Sequence, residues 1–271
     1  MNIIDEKKTV IAIAREAGAL LREGFLETKQ IGTKSSAIDL VTQYDTQVEA
    51  LIAGRLRDAF PGDAIVGEEG QNSSSSNGSG RTWFIDPLDG TVNFAHGFPA
   101  FAVSLALYSR DRPLVGVIYD PLHDECFHAA AGDGAFLDTG GDQQKLQVTG
   151  REQLVNSLLA TGFPYDSHLS ADDNLVQFGA LLKRARGIRR AGAAALDIAY
   201  VAAGRIDGYW EFKLGSWDIA AGVLLVQEAG GRVSAMDGSP FRILPEEKNA
   251  LVASNGHIHA EMVKLLVSTP A

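Results

Sequence analysis

Apolar residues at Val10, Ile13, Ala14, Ala17, Leu20, Leu21 and Phe25 fall on one side of a helical wheel, which predicts an amphipathic helix over Val10–Phe25. Val48, Leu51, Ile52, Leu56 and Phe60 repeat the pattern, and Pro61-Gly62 ends a second helix over Asp45–Phe60. The pattern then changes. Short runs at Ala64–Val66 and Trp83–Ile85, and longer ones at Ala102–Leu107 and Leu114–Tyr119, predict strands, the last two joined through Arg110-Asp111-Arg112-Pro113. Gly132–Phe136 adds a further turn and strand. After Gly150, helical spacing over Asn174–Ala185, Gly192–Ala203 and Trp217–Ala229 alternates with strands at Leu158–Thr161, Ile206–Trp210 and Leu251–Ser254. Gln71–Gly80 is low-complexity and reads as a mobile loop, either a flap or a tolerated surface insertion. No repeat or linker divides residues 1–271, so the expectation is one α/β domain containing more than one sheet.

With 45% apolar residues the chain can bury a large core, and 21% charged residues is ordinary for a water-soluble protein. The net charge of −10 argues against general binding to nucleic acid or an anionic membrane. A small anionic substrate stays open, since bound cations reverse the local sign. The single Cys126 excludes an internal disulfide and reads as a small hydrophobe. Because residue 132 is Gly132, Cys126 also lacks the Cys-x5-Arg context of a cysteine phosphatase. The acidic start of the chain and the lack of about 18 uninterrupted apolar residues predict a cytoplasmic protein without a signal peptide or membrane span.

The candidate chemistry lies where predicted elements end. Asp86-Pro87-Leu88-Asp89-Gly90-Thr91 follows Trp83–Ile85 and sets two carboxylates three residues apart on a sharp turn. Such a pair repels unless a cation lies between its members, although Asp, Pro and Gly are also ordinary turn residues. Glu68 and Glu69 follow the strand Ala64–Val66, Asp45 opens the second helix, and Asp218 stands at the start of an Ala/Gly-rich helix. Helix capping accounts equally well for Asp45 and Asp218, and a solvated turn for Glu68-Glu69.

Taken together, Gly67-Glu68-Glu69, Asp86–Phe94 and Trp217-Asp218-Ile219-Ala220-Ala221-Gly222 resemble the signatures of the inositol monophosphatase family, in order and at similar separations. Similarity through Asp39–Asp45, Gly132–Phe136, Ile188–Asp197 and Glu228–Gly231 extends the resemblance over nearly the whole chain. It implies a layered αβαβα sandwich of the inositol monophosphatase and fructose-1,6-bisphosphatase type, and a magnesium-dependent phosphomonoesterase using two or three ions. Glu68, Asp86, the Leu88 carbonyl and Thr91 would surround the first ion. Asp86 would bridge to a second ion completed by Asp89 and Asp218, and a weaker third would use Glu68. Hydrolysis would need no covalent intermediate. Water at the first ion, oriented by Glu68 and the Thr91 hydroxyl with Glu69 assisting, would attack phosphorus while the second ion stabilises the leaving alkoxide. Asp45 joins this catalytic set. A homodimer and lithium inhibition are further implications.

By the same resemblance the backbone amides of Gly90 and Thr91 would hold phosphate, and Glu211 and the helix start at Gly192, Ala193 and Ala194 would meet the substrate beside Asp218. A carboxylate at Glu211 accepts two neighbouring hydroxyls of a polyol, whereas the bland reading is an exposed strand end. Ala193 stands where relatives carry a hydroxyl residue. Lys34 would attract phosphate or be solvated, and Arg189-Arg190 reads as a charged strand end rather than a second-phosphate site. His257-Ile258-His259 reads as a surface pair. Inositol 1-phosphate is the leading substrate. Fructose 1,6-bisphosphate, 3′-phosphoadenosine 5′-phosphate, NADP and histidinol phosphate are rivals, and a nucleotide enzyme would need an aromatic shelf that the sequence does not single out. A regulatory scaffold keeping only the fold is the non-enzyme alternative.

Overall fold

The computed structural model describes residues 2–34, 38–76, 78–245 and 247–268. Helix α1 (Ile3–Phe25) begins well before Val10 because the Asn2 side chain accepts the Ile4 and Asp5 amides at 3.1 and 2.9 Å. A short antiparallel pair, β1 (Ile31–Thr33) and β2 (Leu40–Thr42), leads into α2 (Gln43–Ala59). Thr42, not Asp45, caps that helix. Asp45 lies three residues further on and accepts the Thr42 amide at 2.8 Å, closing a capping box. Next come β3 (Ala64–Gly67), β4 (Arg81–Asp89), α3 (Thr91–His96), β5 (Ala102–Ser109), β6 (Arg112–Asp120), β7 (Glu125–Ala130), β8 (Gly134–Thr139) and β9 (Asp142–Lys145). These strands form a seven-stranded sheet in sequence order, parallel only between β3 and β4.

The second half supplies β10 (Leu158–Thr161), α4 (Leu175–Leu182), β11 (Gly187–Arg189), α5 (Ala194–Ala202), β12 (Gly208–Leu214), α6 (Ser216–Glu228), β13 (Arg232–Ser234), β14 (Asn249–Ser254) and α7 (His259–Val267). Its five strands are ordered β11-β10-β12-β14-β13. Helices α1 and α2 cover one face of the large sheet, where Val103, Leu105 and Leu107 meet Val10 and Ile52. Ala106, Tyr108 and Ile118 point the other way, against α5 and α6, which also back onto the smaller sheet. Trp210 and Val252 on the far face of that sheet pack with Leu181 of α4 and Met262 of α7. The result is the five-layered αβαβα sandwich. Coverage of both faces explains why β5 and β6 read as continuous apolar runs rather than alternating ones.

Three sequence expectations meet specific surroundings. Cys126 is buried in β7, and burial pushes its thiol up to about 12, so it behaves as an inert hydrophobe. His259 is buried, not a surface residue; its ring bridges Ser254 and Ser234 at 2.8 Å each, while His257 is exposed. Within Gln71–Gly80, Ser73 exchanges two backbone hydrogen bonds with Ile65, and the Ser76 amide bonds the Gly62 carbonyl. Asn77 of that segment lies outside the described residues, as do Thr269–Ala271 at the end of the expected 1–271 domain. No helix among the described residues is long and apolar enough to cross a membrane.

Candidate active site

The site forms where β3, β4 and β12 and the starts of α3, α5 and α6 converge. Pro87 has no amide to give the β4–β5 ladder, and the register slips between Asp86 and Asp89. That irregularity lets both carboxylates face one cavity of about 380 Å³. Gly90 then turns the chain with φ 90°, and a Cβ there would stand 2.8 Å from the Ala100 carbonyl, so only glycine fits. Glu68 enters from the turn after β3, Asp218 from the first turn of α6, and Glu211 from β12.

Each acid is held, and few are neutralised. Asp86 accepts the Leu88 amide at 3.0 Å while standing between Glu68 and Asp218. Asp89 spends one oxygen on the Ala194 amide at 3.0 Å and the other on Ala195 at 2.8 Å, both at the start of α5. Asp218 accepts the Gly215 amide at 2.7 Å. Lys34 Nζ donates to Glu68 at 2.8 Å and also to Glu69. Burial would lower the Lys34 pKa, but the two glutamates outweigh it and hold it raised.

Burial, then neighbouring acids, pushes Asp86 well above the carboxylate range. Asp89 rises likewise from burial and Asp218, despite the α5 amides. Burial lifts Asp218 to about 6, and Glu68, Glu69 and Glu211 to about 7. At neutral pH this cluster demands either protons or cations. Its inward donors are all oxygen: the four carboxylates, the Leu88 carbonyl and the Thr91 hydroxyl. Such a set suits a hard cation like magnesium and not a thiolate- or imidazole-seeking metal. Among the described residues no three His, Cys, Asp or Glu side chains are drawn around one point as a ready-made cage.

Glu68, Asp86, Leu88, Asp89, Gly90, Thr91, Gly192, Ala194, Glu211 and Asp218 all line the cavity. Ala193 does not: it is buried at the start of α5, against Gly90. Asp45 is also fully buried behind the wall, accepting the Thr91 hydroxyl at 2.9 Å, which places it one residue back from the cavity. Glu69 lies off the wall on Lys34. Arg190 reaches the cavity, contrary to the reading as a plain strand end, and faces Glu211 and Asp197; Arg189 is exposed outside it.

Three further contributors stand outside the candidates marked by the sequence. Asn93 donates to the Ala100 and Ala191 carbonyls at 2.7 and 2.8 Å, tying the approach to α5 against α3. Asp197 lines the cavity, and burial followed by Glu211 and Asp89 raises its pKa strongly. Phe163, Pro164 and Tyr165 form an apolar wall. The first two signals lay inside segments already singled out; the third lay in a loop with no periodicity to mark it.

A family model for the inositol monophosphatase family matches residues 5–271. An inositol-1-monophosphatase of Synechocystis is 42% identical over 97% of this chain and 90% of its own. A protein of Pseudomonas aeruginosa named Nus factor SuhB is 47% identical over 89% of this chain and 88% of its own. The solved inositol monophosphatase of Anabaena superposes with a TM-score of 0.86 at 39% identity, covering 100% of this chain and 98% of that one.

Proposed function

Because the chain belongs to the inositol monophosphatase family and is a phosphatase of that kind, we propose that it hydrolyses inositol 1-phosphate with magnesium. The observation that carries this reading is the gathering of five acids in one cavity. Glu68, Asp86, Asp89 and Asp218 come from the ends of β3 and β4 and the start of α6, and Glu211 from β12. The first group would hold cations, with the Leu88 carbonyl and Thr91; Glu211 would accept the hydroxyls of a polyol. When bound, divalent ions supply charge against phosphoryl and leaving oxygens and acidify the attacking water.

The chain's own residues do the positioning. The Thr91 hydroxyl donates to Asp45 at 2.9 Å and lies 3.1 Å from the Leu88 carbonyl, and a lone pair of its oxygen would orient incoming water. Glu68 would take the water proton as the water oxygen bonds phosphorus and the bond from phosphorus to the alcohol oxygen breaks, the departing alkoxide taking a proton from solvent water; Glu69 and Lys34 adjust the basicity of Glu68. The Gly90 and Thr91 amides at the start of α3 meet the phosphate. The same reading carries lithium inhibition and a homodimer, checked by lithium titration and light scattering.

The test is phosphate release from inositol 1-phosphate, fructose 1,6-bisphosphate, 3′-phosphoadenosine 5′-phosphate, NADP and histidinol phosphate, with magnesium, with EDTA, and with Asp89→Asn protein. Magnesium-dependent turnover lost in Asp89→Asn, fastest on inositol 1-phosphate, is expected. Turnover unaffected by EDTA would sink the metal reading. A second reading, wider tolerance for nucleoside phosphates, is favoured by the Phe163-Pro164-Tyr165 wall. A Tyr165→Ala variant that slows only the nucleotide substrate would support it.

A further inference from the structure

We infer that Glu49, outside the cavity and absent from every signature in the sequence, is a positioning residue that aims Glu68 and Glu69 through the backbone that carries them. Glu49 lies on α2, fully buried. One carboxylate oxygen accepts the Glu69 amide at 2.7 Å and the other the Gln71 amide at 2.8 Å. These are charge-assisted hydrogen bonds inside the protein, stronger than ordinary ones. Beside the Lys34 bonds to the Glu68 and Glu69 side chains, two more backbone anchors hold this turn: the Gly67 amide donates to Asn72 at 2.9 Å and the Glu68 amide to the Ile85 carbonyl at 3.2 Å. Half of these four anchors therefore come from one side chain.

Gly67 makes room for this contact. A Cβ at that position would stand 2.7 Å from the Glu49 carboxyl carbon, so glycine is what lets the acid approach the turn. Asp45 lies four residues earlier on the same helix face and grips Thr91 at the start of α3, just past β4. One rigid helix thus references both halves of the cavity wall: Asp45 the turn after β4, Glu49 the turn after β3. A turn held only by its own backbone would let Glu68 drift, and a displacement near 1 Å at such a centre costs on the order of 100-fold in rate.

The inference rests on the phosphatase reading, and its test separates the two. Glu49→Gln keeps the shape but turns an NH2 toward one of the two amides; Glu49→Asp keeps the charge and shortens the reach, and serves if the first variant folds poorly. Ile52→Val, in the core beneath the same helix, is the control for a purely structural loss. Three quantities are measured: hydrogen exchange at the Glu69 and Gln71 amides, manganese binding by electron paramagnetic resonance, and the magnesium dependence of turnover.

Glu49→Gln should speed exchange at those amides and weaken manganese binding about tenfold. It should also raise the magnesium needed for half-activity in proportion, while KM for inositol 1-phosphate at saturating magnesium stays within about twofold. Ile52→Val should alter none of these. Manganese binding equal to wild type in Glu49→Gln, or weakened equally by Ile52→Val, overturns the inference. Wild-type protein that binds manganese but turns over no phosphate would sink the phosphatase reading, while the exchange and manganese measurements still decide the role of Glu49.

Discussion

Two buried groups of acids in this molecule are built on opposite terms. Asp207, between α5 and β12, is almost fully buried, yet its carboxylate meets only donors: Thr149, Arg151 at 3.0 Å and the Leu158 amide at 2.8 Å. Its backbone also bonds Leu158 and Asn255. Asp86 is as deeply buried, but beyond one amide it faces three other carboxyls, Glu68, Asp89 and Asp218. The first arrangement ties β10, β12 and β14 together. The second leaves charge that the protein does not neutralise by itself, which is the mark of a site awaiting a cation.

The sharpest test of that contrast is Asp86→Asn. Its amide would donate to Glu68 or Asp218 where the carboxylate repelled them. Turnover should fall by about 1,000-fold, while thermal stability without divalent ions holds or rises. A clear loss of stability would make Asp86 a structural acid like Asp207 and break the comparison.

Asp207→Asn should do the reverse. An NH2 would replace an oxygen that accepts an amide or the Arg151 guanidinium, leaving buried donors unpaired at a cost of about 2–4 kcal/mol. Urea denaturation measures it. Turnover per folded molecule should stay within about twofold, and a larger drop would show that the Asp207 node also governs the cavity. Added magnesium supplies the next effect: saturation to about 100 times its Kd should stabilise the wild type by about 2.7 kcal/mol. Asp86→Asn should forfeit most of that gain, and Asp207→Asn should keep it.

The contrast was half legible in the sequence. Asp86, Asp89 and Asp218 stand out because Pro87 and Gly90 punctuate a turn and because an acid sits oddly among Trp217, Ile219 and Ala220. Helices announced themselves by periodicity, and their late or early ends followed from caps such as Asn2 and Thr42 that a wheel does not display. Glu49 and Asp207 were invisible for another reason. Each works through backbone amides contributed by distant segments, residues 69 and 71 in one case and 158 in the other. Backbone donors are the same for every residue type, so no sequence pattern marks them. His259 was misread likewise, because the serines that bury it lie 5 and 25 residues away.

Buried histidines extend the comparison to pH, with the opposite sign. His128 in β7 is buried, its Nδ1 finds no partner among the described residues, and burial with Lys7 nearby lowers its pKa to about 4. The unfolded chain takes up a proton near 6.5 that the folded protein refuses until about pH 4. This residue's stabilising term is therefore complete above pH 6.5 and is lost on acidification. Between pH 7 and pH 5 the loss is about 2 kcal/mol. The cavity carboxyls, raised by burial, pull the other way, since protonation relieves them. Total stability thus conceals both terms, and only a difference isolates one. His128→Leu removes the titrating ring without opening a cavity. Its stability relative to wild type should rise by about 2 kcal/mol between pH 7 and pH 5, read from urea midpoints at each pH. A constant difference would mean that His128 titrates alike in both states and contributes nothing to the pH response.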